Sequence, residues 1–294
     1  MISVFKRPPF IGLFAFLMVF ILQGLGHTQM VLMERLFGDE HVIAAAIIMG
    51  LVGCGVVYWG VRRSDNENLA TWLGFIGGTL IWDGWVEFSF VFYAHHLAVP
   101  PLIENGEVVT KAEYLLLPSS IGVLFSTLAF FVLNRETRCN AFRWMHRNLR
   151  MPVGRPTLNY QRNVSSIVAM ETIYVTWFFY VFLLVIYDKR ILGDDHPAMY
   201  GILFLFVVWS VYLLNRLRKF TRVTSAFRYG IPTAIIAYNV AEILGRWNVY
   251  TDIWIEPEKY TGQIIAFFGG LIVVAGIFAL FPSTDVPDAE GTPG

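Results

Sequence analysis

The chain has 294 residues and a formal net charge of zero, and its composition is 56% apolar, 16% aromatic and only 15% charged. Soluble domains carry about 25% charged residues, so this chain has too little charge to cover a water-soluble globule. Its two cysteines exclude a disulfide framework and cannot form a zinc or iron–sulfur centre on their own. The composition therefore predicts an integral membrane protein that is surrounded by the lipid bilayer and has no nucleic-acid partner.

Apolar segments long enough to cross a bilayer recur along the chain. A spanning helix needs about 20 mostly apolar residues. Segments of this kind occur at approximately residues 9–26, 42–61, 70–95, 115–134, 164–187, 198–215, 229–246 and 262–281. The first lacks a convincing signal-peptide cleavage site, so we interpret it as an uncleaved span. We predict an all-α polytopic bundle of about eight transmembrane helices in a single domain, residues 1–281, followed by a polar cytoplasmic tail, residues 282–294.

The segments that connect these predicted spans alternate in charge. Basic residues precede the first span and follow the even-numbered spans, as at Arg62 and Arg63. Acidic residues collect in the other connections, as at Asp194 and Asp195. Cytoplasmic loops carry the excess of Lys and Arg in membrane proteins. We therefore predict a plasma or inner membrane protein with both termini in the cytoplasm.

The third predicted span contains two acids in its middle and two histidines at its end, in the sequence GGTLIWDGWVEFSFVFYAHH, residues 77–96. A helix places Asp83 and Glu87 one turn apart on the same face. Like charges at that spacing repel each other, and an ion inside hydrocarbon is costly. The pattern therefore predicts that a proton, a metal ion or another cation neutralises these acids.

Depth estimates bring further polar residues to the same level. With a rise of about 1.5 Å per residue, Asp83 and Glu242 both lie roughly 20 Å from the cytoplasmic end of their spans. Glu87 and Arg246 both lie roughly 26 Å from that end, and Asn239 is one turn below Glu242. We therefore expect one polar seam in the outer half of the membrane, in which Arg246 neutralises either Glu87 or Glu242.

Histidines and one deeper acid complete this predicted seam. His95 and His96 end the third span at the interface where His27 ends the first. Only one of two adjacent histidines can join the acid face of a helix, and His95 is better placed, about 80° around the axis from Glu87. Glu171 of the fifth span lies about 10 Å from the cytoplasmic end and forms a deeper satellite.

Carboxylate and imidazole ligands together suit iron, copper, manganese or zinc. The sequence therefore predicts a transition-metal site whose ligands are Asp83, Glu87, His95 and Glu242. The residues expected to balance charge or orient these ligands are Asn239, Arg246, His96, His27 and Glu171. Such a centre would serve oxidation chemistry, in a metal-dependent membrane oxidoreductase or monooxygenase-like enzyme or in a membrane redox complex.

Two other functions remain open from the sequence. The first is a proton- or cation-coupled transporter, in which the intramembrane acids form a relay. The second is a non-catalytic structural subunit, which would pack against other membrane subunits or form a homo-oligomer. In that case the acids would only hold the helices together by hydrogen bonds.

Overall fold

The computed structural model describes residues 8–104, 107–134, 140–152, 163–250, 253 and 258–280. Over these residues the chain is helical apart from one two-stranded antiparallel hairpin. The elements are α1 (Phe10–Gly38), α2 (Glu40–Arg62), α3 (Glu67–Ile81), a π-helical turn (Trp82–Glu87), α4 (Phe88–His96), β1 (Leu102–Glu104), β2 (Glu107–Thr110), α5 (Ala112–Leu116), a 3₁₀ turn (Leu117–Ser120), α6 (Ile121–Leu133), α7 (Asn140–Asn148), α8 (Val164–Tyr187), α9 (Ala198–Leu217), α10 (Val223–Arg246) and α11 (Thr261–Leu280). The predicted tail, residues 282–294, lies outside the described residues.

Five helical segments are long and apolar enough to cross a membrane, namely α1, α2, Ala112–Leu133, α8 and α9. They indicate a multi-pass helical membrane protein. The predicted number of about eight spans is not confirmed. Helical segments also occupy the other three predicted spans, at residues 67–96, 223–246 and 261–280, but these are not among the five.

Glycine and asparagine set several of the helix boundaries. The break between α1 and α2 falls at Gly38, where φ is 59° and ψ is 177°, a combination that only glycine adopts readily. Asn66 starts α3 by accepting a 3.0 Å hydrogen bond from the Leu69 backbone N–H. Asn163 starts α8 in the same way through the Ser166 N–H at 3.3 Å. Side-chain oxygens at these positions satisfy backbone donors that the first helical turn leaves free.

Close contacts at glycine hold α3 against its neighbours α2 and α8. A Cβ atom at Gly53 of α2 would lie 2.8 Å from the carbonyl oxygen of Gly77 in α3. A Cβ atom at Gly74, on another side of α3, would overlap the carbonyl oxygen of Ser165 in α8. Small residues allow membrane helices to approach each other this closely. α3 is therefore fixed between two other helices by its own backbone.

The largest apolar core lies between α1, α3, α8, α9 and α10. Phe75, Phe227 and Ile231 are at most 2% exposed within it. The outward faces of α6 and α9 are also apolar but exposed, with Phe130 at 75% and Phe204 at 66%. Extended apolar surface of this kind marks a membrane or protein contact. The bundle therefore has a packed interior and an apolar exterior suited to lipid.

Ion pairs link different elements at the two opposite ends of the bundle. At one end, which we call the acidic end, Arg246 donates hydrogen bonds to Asp194 at 2.8 Å and to Thr110 at 3.2 Å. At the other end, which we call the basic end, Arg222 pairs with Glu67 at 3.4 Å. The ends of α8 and α10 and the β-hairpin therefore meet at the acidic end, whereas the beginnings of α3 and α10 meet at the basic end.

The contact between Gly74 and α8 predicts a specific loss of stability. We expect Gly74→Ala to lower the free energy of unfolding by about 1–3 kcal/mol, because the added methyl group overpacks against backbone. The matched control is Gly55→Ala in α2, where a Cβ atom would meet nothing within 4 Å. The control should be neutral or slightly stabilising. Unfolding of the protein in detergent micelles measures both, and equal stabilities would contradict the close contact.

Candidate functional site

A π-helical turn, Trp82–Glu87, carries two acids of the site. A π-turn widens the helix locally, and such turns occur frequently at functional sites. Asp83 is 3% exposed and Glu87 is 5% exposed, so both carboxyls lie inside the bundle. The turn therefore brings two acidic side chains to the interior within six residues.

Contacts with α2 fix the other side of this turn. The Trp85 indole donates a 3.1 Å hydrogen bond to the carbonyl of Ile47. A Cβ atom at Gly84 would lie only 2.7 Å from the backbone nitrogen of Gly50, so the two backbones are in direct contact. Because α2 holds Gly84 and Trp85 on one side, Asp83 and Glu87 are directed away from α2.

A cavity of about 60 Å³ lies between α1, α3 with its π-turn, α8 and α10. Three carboxyl groups line it, those of Asp83, Glu87 and Glu242, together with the imidazole of His27. Aromatic and neutral polar side chains form much of the remaining wall, including Phe75, Phe179, Tyr180, Tyr238, Thr176 and Asn239. A polar cavity of this volume accommodates a few water molecules.

Two polar contacts connect the site residues across different helices. The Tyr180 hydroxyl of α8 donates a hydrogen bond to Glu87 Oε1 at 3.3 Å. His27 Nε2 of α1 lies 3.5 Å from Glu242 Oε1 of α10. The His27 and Glu242 side chains are 27% and 28% exposed, so the cavity is most open beside this pair.

Asp83 lies against α1. A Cβ atom at Gly26 would be 3.8 Å from Asp83 Oδ1 and 3.9 Å from Oδ2, so the carboxyl group rests on the glycine backbone. Asp83 Oδ2 is buried and has no hydrogen-bond partner among the described residues. A buried polar atom without a partner is unfavourable unless a proton, water or an ion reaches it.

Aromatic rings surround the imidazole of His27. The Tyr238 ring stacks on it with centroids 6.5 Å apart, and the Tyr180 ring meets it edge-on at 6.3 Å. Asn239, which is 3% exposed, donates its amide hydrogen to the Ile235 carbonyl at 2.7 Å. The Asn239 side chain, which was predicted to orient a neighbouring acid, is therefore anchored to its own helix.

Arg246 has a different partner from the one expected. The sequence predicted that it neutralises Glu87 or Glu242, but its Nε donates to Asp194 Oδ2 at 2.8 Å and its guanidinium lies 5.0 Å from the centre of the Tyr187 ring. Depth along a span could not reveal this partner, because Asp194 belongs to the connection that follows α8. The charge of Arg246 is therefore matched outside the cavity.

Glu171 is also separated from the cavity acids. Arg228 donates to both of its carboxylate oxygens, at 2.9 and 3.3 Å. The span predicted at residues 229–246 begins after Arg228, but α10 begins at Val223 and includes Arg228 in its second turn. The predicted satellite acid is therefore half of an ion pair, and it does not line the cavity.

The two adjacent histidines, His95 and His96, lie at the exposed end of α4. His96 stacks on Phe92 with ring centroids 5.7 Å apart, and neither histidine lines the cavity. The predicted angle of about 80° did not take account of distance along the axis, because His95 is eight residues after Glu87 and therefore about 12 Å further along the helix. Among the described residues, no group of three or more His, Cys, Asp and Glu side chains is placed to hold a metal ion.

Sequence reasoning missed the tyrosines of the site. The chain contains 13 tyrosines and 25 phenylalanines, so aromatic content alone did not distinguish Tyr180 and Tyr238. A polar aromatic residue in the same spans as intramembrane acids was the available signal. Its hydroxyl needs a partner when buried.

Comparisons with protein families, with curated proteins and with solved structures found no match for this chain.

The partner of Arg246 can be identified by a double-mutant cycle. We expect Arg246→Gln and Asp194→Asn to show a coupling energy of about 1 kcal/mol or more, because the two side chains share a hydrogen bond. Arg246→Gln and Glu242→Gln should be nearly additive. Free energies of unfolding in mixed micelles provide the measurement. Strong coupling with Glu242 and none with Asp194 would contradict the observed pairing.

Proposed function

We propose that this protein couples the binding and release of protons to the movement of a small cation across the membrane, with Asp83, Glu87, Glu242 and His27 forming the binding site. The observation that supports this proposal is the charge of the cavity. Three carboxyl groups and one imidazole line it. Full ionisation of these groups would leave a net charge of −2 (three negative charges and one positive charge).

Each of the two neighbouring arginines has a carboxylate partner outside the cavity. Arg246 pairs with Asp194, and Arg228 pairs with Glu171. Removing an unpaired ion from water costs several kcal/mol even after the protein relaxes. The cavity acids are therefore neutralised by protons or by a bound cation, and exchange between these two states provides the coupling.

The predicted transition-metal centre is a weaker alternative on geometric grounds. Of its four proposed ligands, Asp83, Glu87 and Glu242 line the cavity, whereas His95 lies on the exposed end of α4. A transition-metal site needs several donor atoms to converge at about 2.0–2.3 Å from one point. Proton binding requires no such convergence of donor atoms. His27 and Tyr180 are further groups in the cavity that can exchange protons.

The arrangement in the membrane follows from the helices and the charges. We propose that the segments at residues 67–96, 223–246 and 261–280 cross the bilayer together with the five more apolar ones, giving eight spans. The basic end would then face the cytoplasm by the excess of Lys and Arg, and both termini would lie on that side. The polar faces of α10 and the π-turn would be covered by the other helices.

Transport in proteoliposomes tests the proposed coupling. We expect gradients of Na⁺ or K⁺ to drive proton counterflow, detected by an entrapped pH dye. Asp83→Asn/Glu87→Gln should slow the counterflow about a hundredfold or more, because it removes positioned proton acceptors. The matched control is Glu67→Gln, since Glu67 pairs with Arg222 at the basic end, away from the cavity. Wild-type counterflow no faster than that of protein-free liposomes would refute the proposal.

Elemental analysis separates this function from the redox alternative. We expect purified protein to contain less than stoichiometric iron, copper, manganese or zinc, because the described donors do not converge on one point. Asp83→Ala/Glu87→Ala should give the same result. Stoichiometric metal that disappears in the double variant would instead establish a metal centre and direct attention to oxidation chemistry.

A further inference from the structure

A second polar cluster lies next to the cavity at the acidic end. Arg246 is one turn after Glu242 on α10, and it contacts Asp194 through a hydrogen bond and the Tyr187 ring through its guanidinium face. Tyr187 is the last residue of α8. The side chains of Arg246 and Asp194 are 20% and 18% exposed, so the cluster is partly buried beside the open part of the cavity.

Two buried oxygen atoms in this cluster have no hydrogen-bond partner among the described residues. They are the Tyr187 hydroxyl and Asp194 Oδ1. Buried polar groups are nearly always satisfied by protein or by ordered water. Both atoms belong to side chains that contact Arg246, which follows Glu242 by one turn on α10. Ordered water that satisfies both oxygens would extend from the Glu242 side of the cavity towards the surface.

The opposite side of the cavity has no comparable polar connection among the described residues. Phe75 and Ile235 line its wall at 2% and 4% exposure, and Phe227 and Ile231 fill the core beyond at 2% and 0%. The Phe75 and Phe227 rings pack edge to face at 5.3 Å. Close-packed apolar side chains leave little space for water, so this packing restricts water on the side towards the basic end.

We propose that Glu242, Tyr187 and Asp194 form a water-bridged relay through which the cavity exchanges protons with the acidic end of the bundle. This inference rests on the proposed proton-binding function and names the side and the residues by which protons arrive. A tyrosine hydroxyl both donates and accepts a hydrogen bond, so Tyr187 can pass a proton between waters on its two sides. Asp194 accepts protons at the surface end of the relay.

Other charged and polar groups around the relay fix its geometry. Arg246 holds Asp194 Oδ2 and leaves Oδ1 for water. Thr110 of the hairpin accepts a hydrogen bond from Arg246, and His27 lies on the cavity side of Glu242. The Tyr250 hydroxyl donates to the Ala241 carbonyl at 2.8 Å, near the end of α10. Because Arg246 contacts Asp194, Thr110 and Tyr187, it acts as a positioning residue.

Tyr187→Phe removes the relay hydroxyl and keeps the ring beneath Arg246. The measurement is time-resolved infrared spectroscopy of the whole protein after rapid transfer into D₂O, followed at the carbonyl stretch of protonated carboxyl groups. We expect deuteration of the band that Asp83→Asn or Glu242→Gln removes to slow about tenfold or more, since a proton-transfer group is lost. The total intensity of the band should not change.

A control variant and two distinguishable negative results complete the test of the relay. Tyr200→Phe removes a hydroxyl at the same end, where the Tyr200 ring packs at a tilt against Trp247 with centroids 4.9 Å apart. Tyr200 is not part of the proposed relay, so this variant should exchange at the wild-type rate. Wild-type exchange in Tyr187→Phe would overturn the relay and leave the proposed function standing. The absence of any protonated band that depends on Asp83 or Glu242 in the wild type would overturn the proposed function itself.

Discussion

The structure depends on two ion pairs that join α10 to α8 and to the loop that follows α8. α10 carries Arg228 and Arg246, about 27 Å apart along its axis at the usual helical rise. Each arginine is committed to an acid outside the cavity, Glu171 or Asp194. Truncating one partner of such a partly buried pair leaves an uncompensated charge. These pairs therefore hold α10 in register with α8 and its following loop, whereas His27 is the basic residue that pairs with Glu242 at the cavity.

The side of the cavity opposite α10 is held by close backbone packing and not by ion pairs. α3 approaches α2 and α8 at glycines, where van der Waals contact between backbones replaces side-chain packing. The π-turn continues this wall, and the hydrogen bond from Trp85 to Ile47 fixes it to α2. Contacts with α2 therefore hold the turn that carries Asp83 and Glu87. Glu242 instead lies on α10, a helix with ion pairs at both ends. A binding site between two such walls can alter its polar contacts without unfolding either one.

The two ends of the cavity also differ in the kind of contact that closes them. Ion-paired and hydrogen-bonded groups with two orphan oxygens lie towards the acidic end, and packed aromatic and aliphatic side chains lie towards the basic end. Water enters polar regions and is excluded from close-packed apolar ones. This asymmetry gives the proposed proton pathway a direction, and the proposed movement of a cation would require a rearrangement of the Phe75–Phe227 packing.

The sequence by itself determined the helical membrane class and the positions of most helices, because long apolar runs permit little else. It also singled out Asp83, Glu87 and Glu242, since acids are rare inside spans and conspicuous there. Tertiary structure alone decided their partners. A residue of the connection after α8 supplied the partner of Arg246, and the start of α10 at Val223 gave Glu171 its arginine. These outcomes depend on how the helices pack and where they begin. Estimating depth along isolated straight spans gives no information about either.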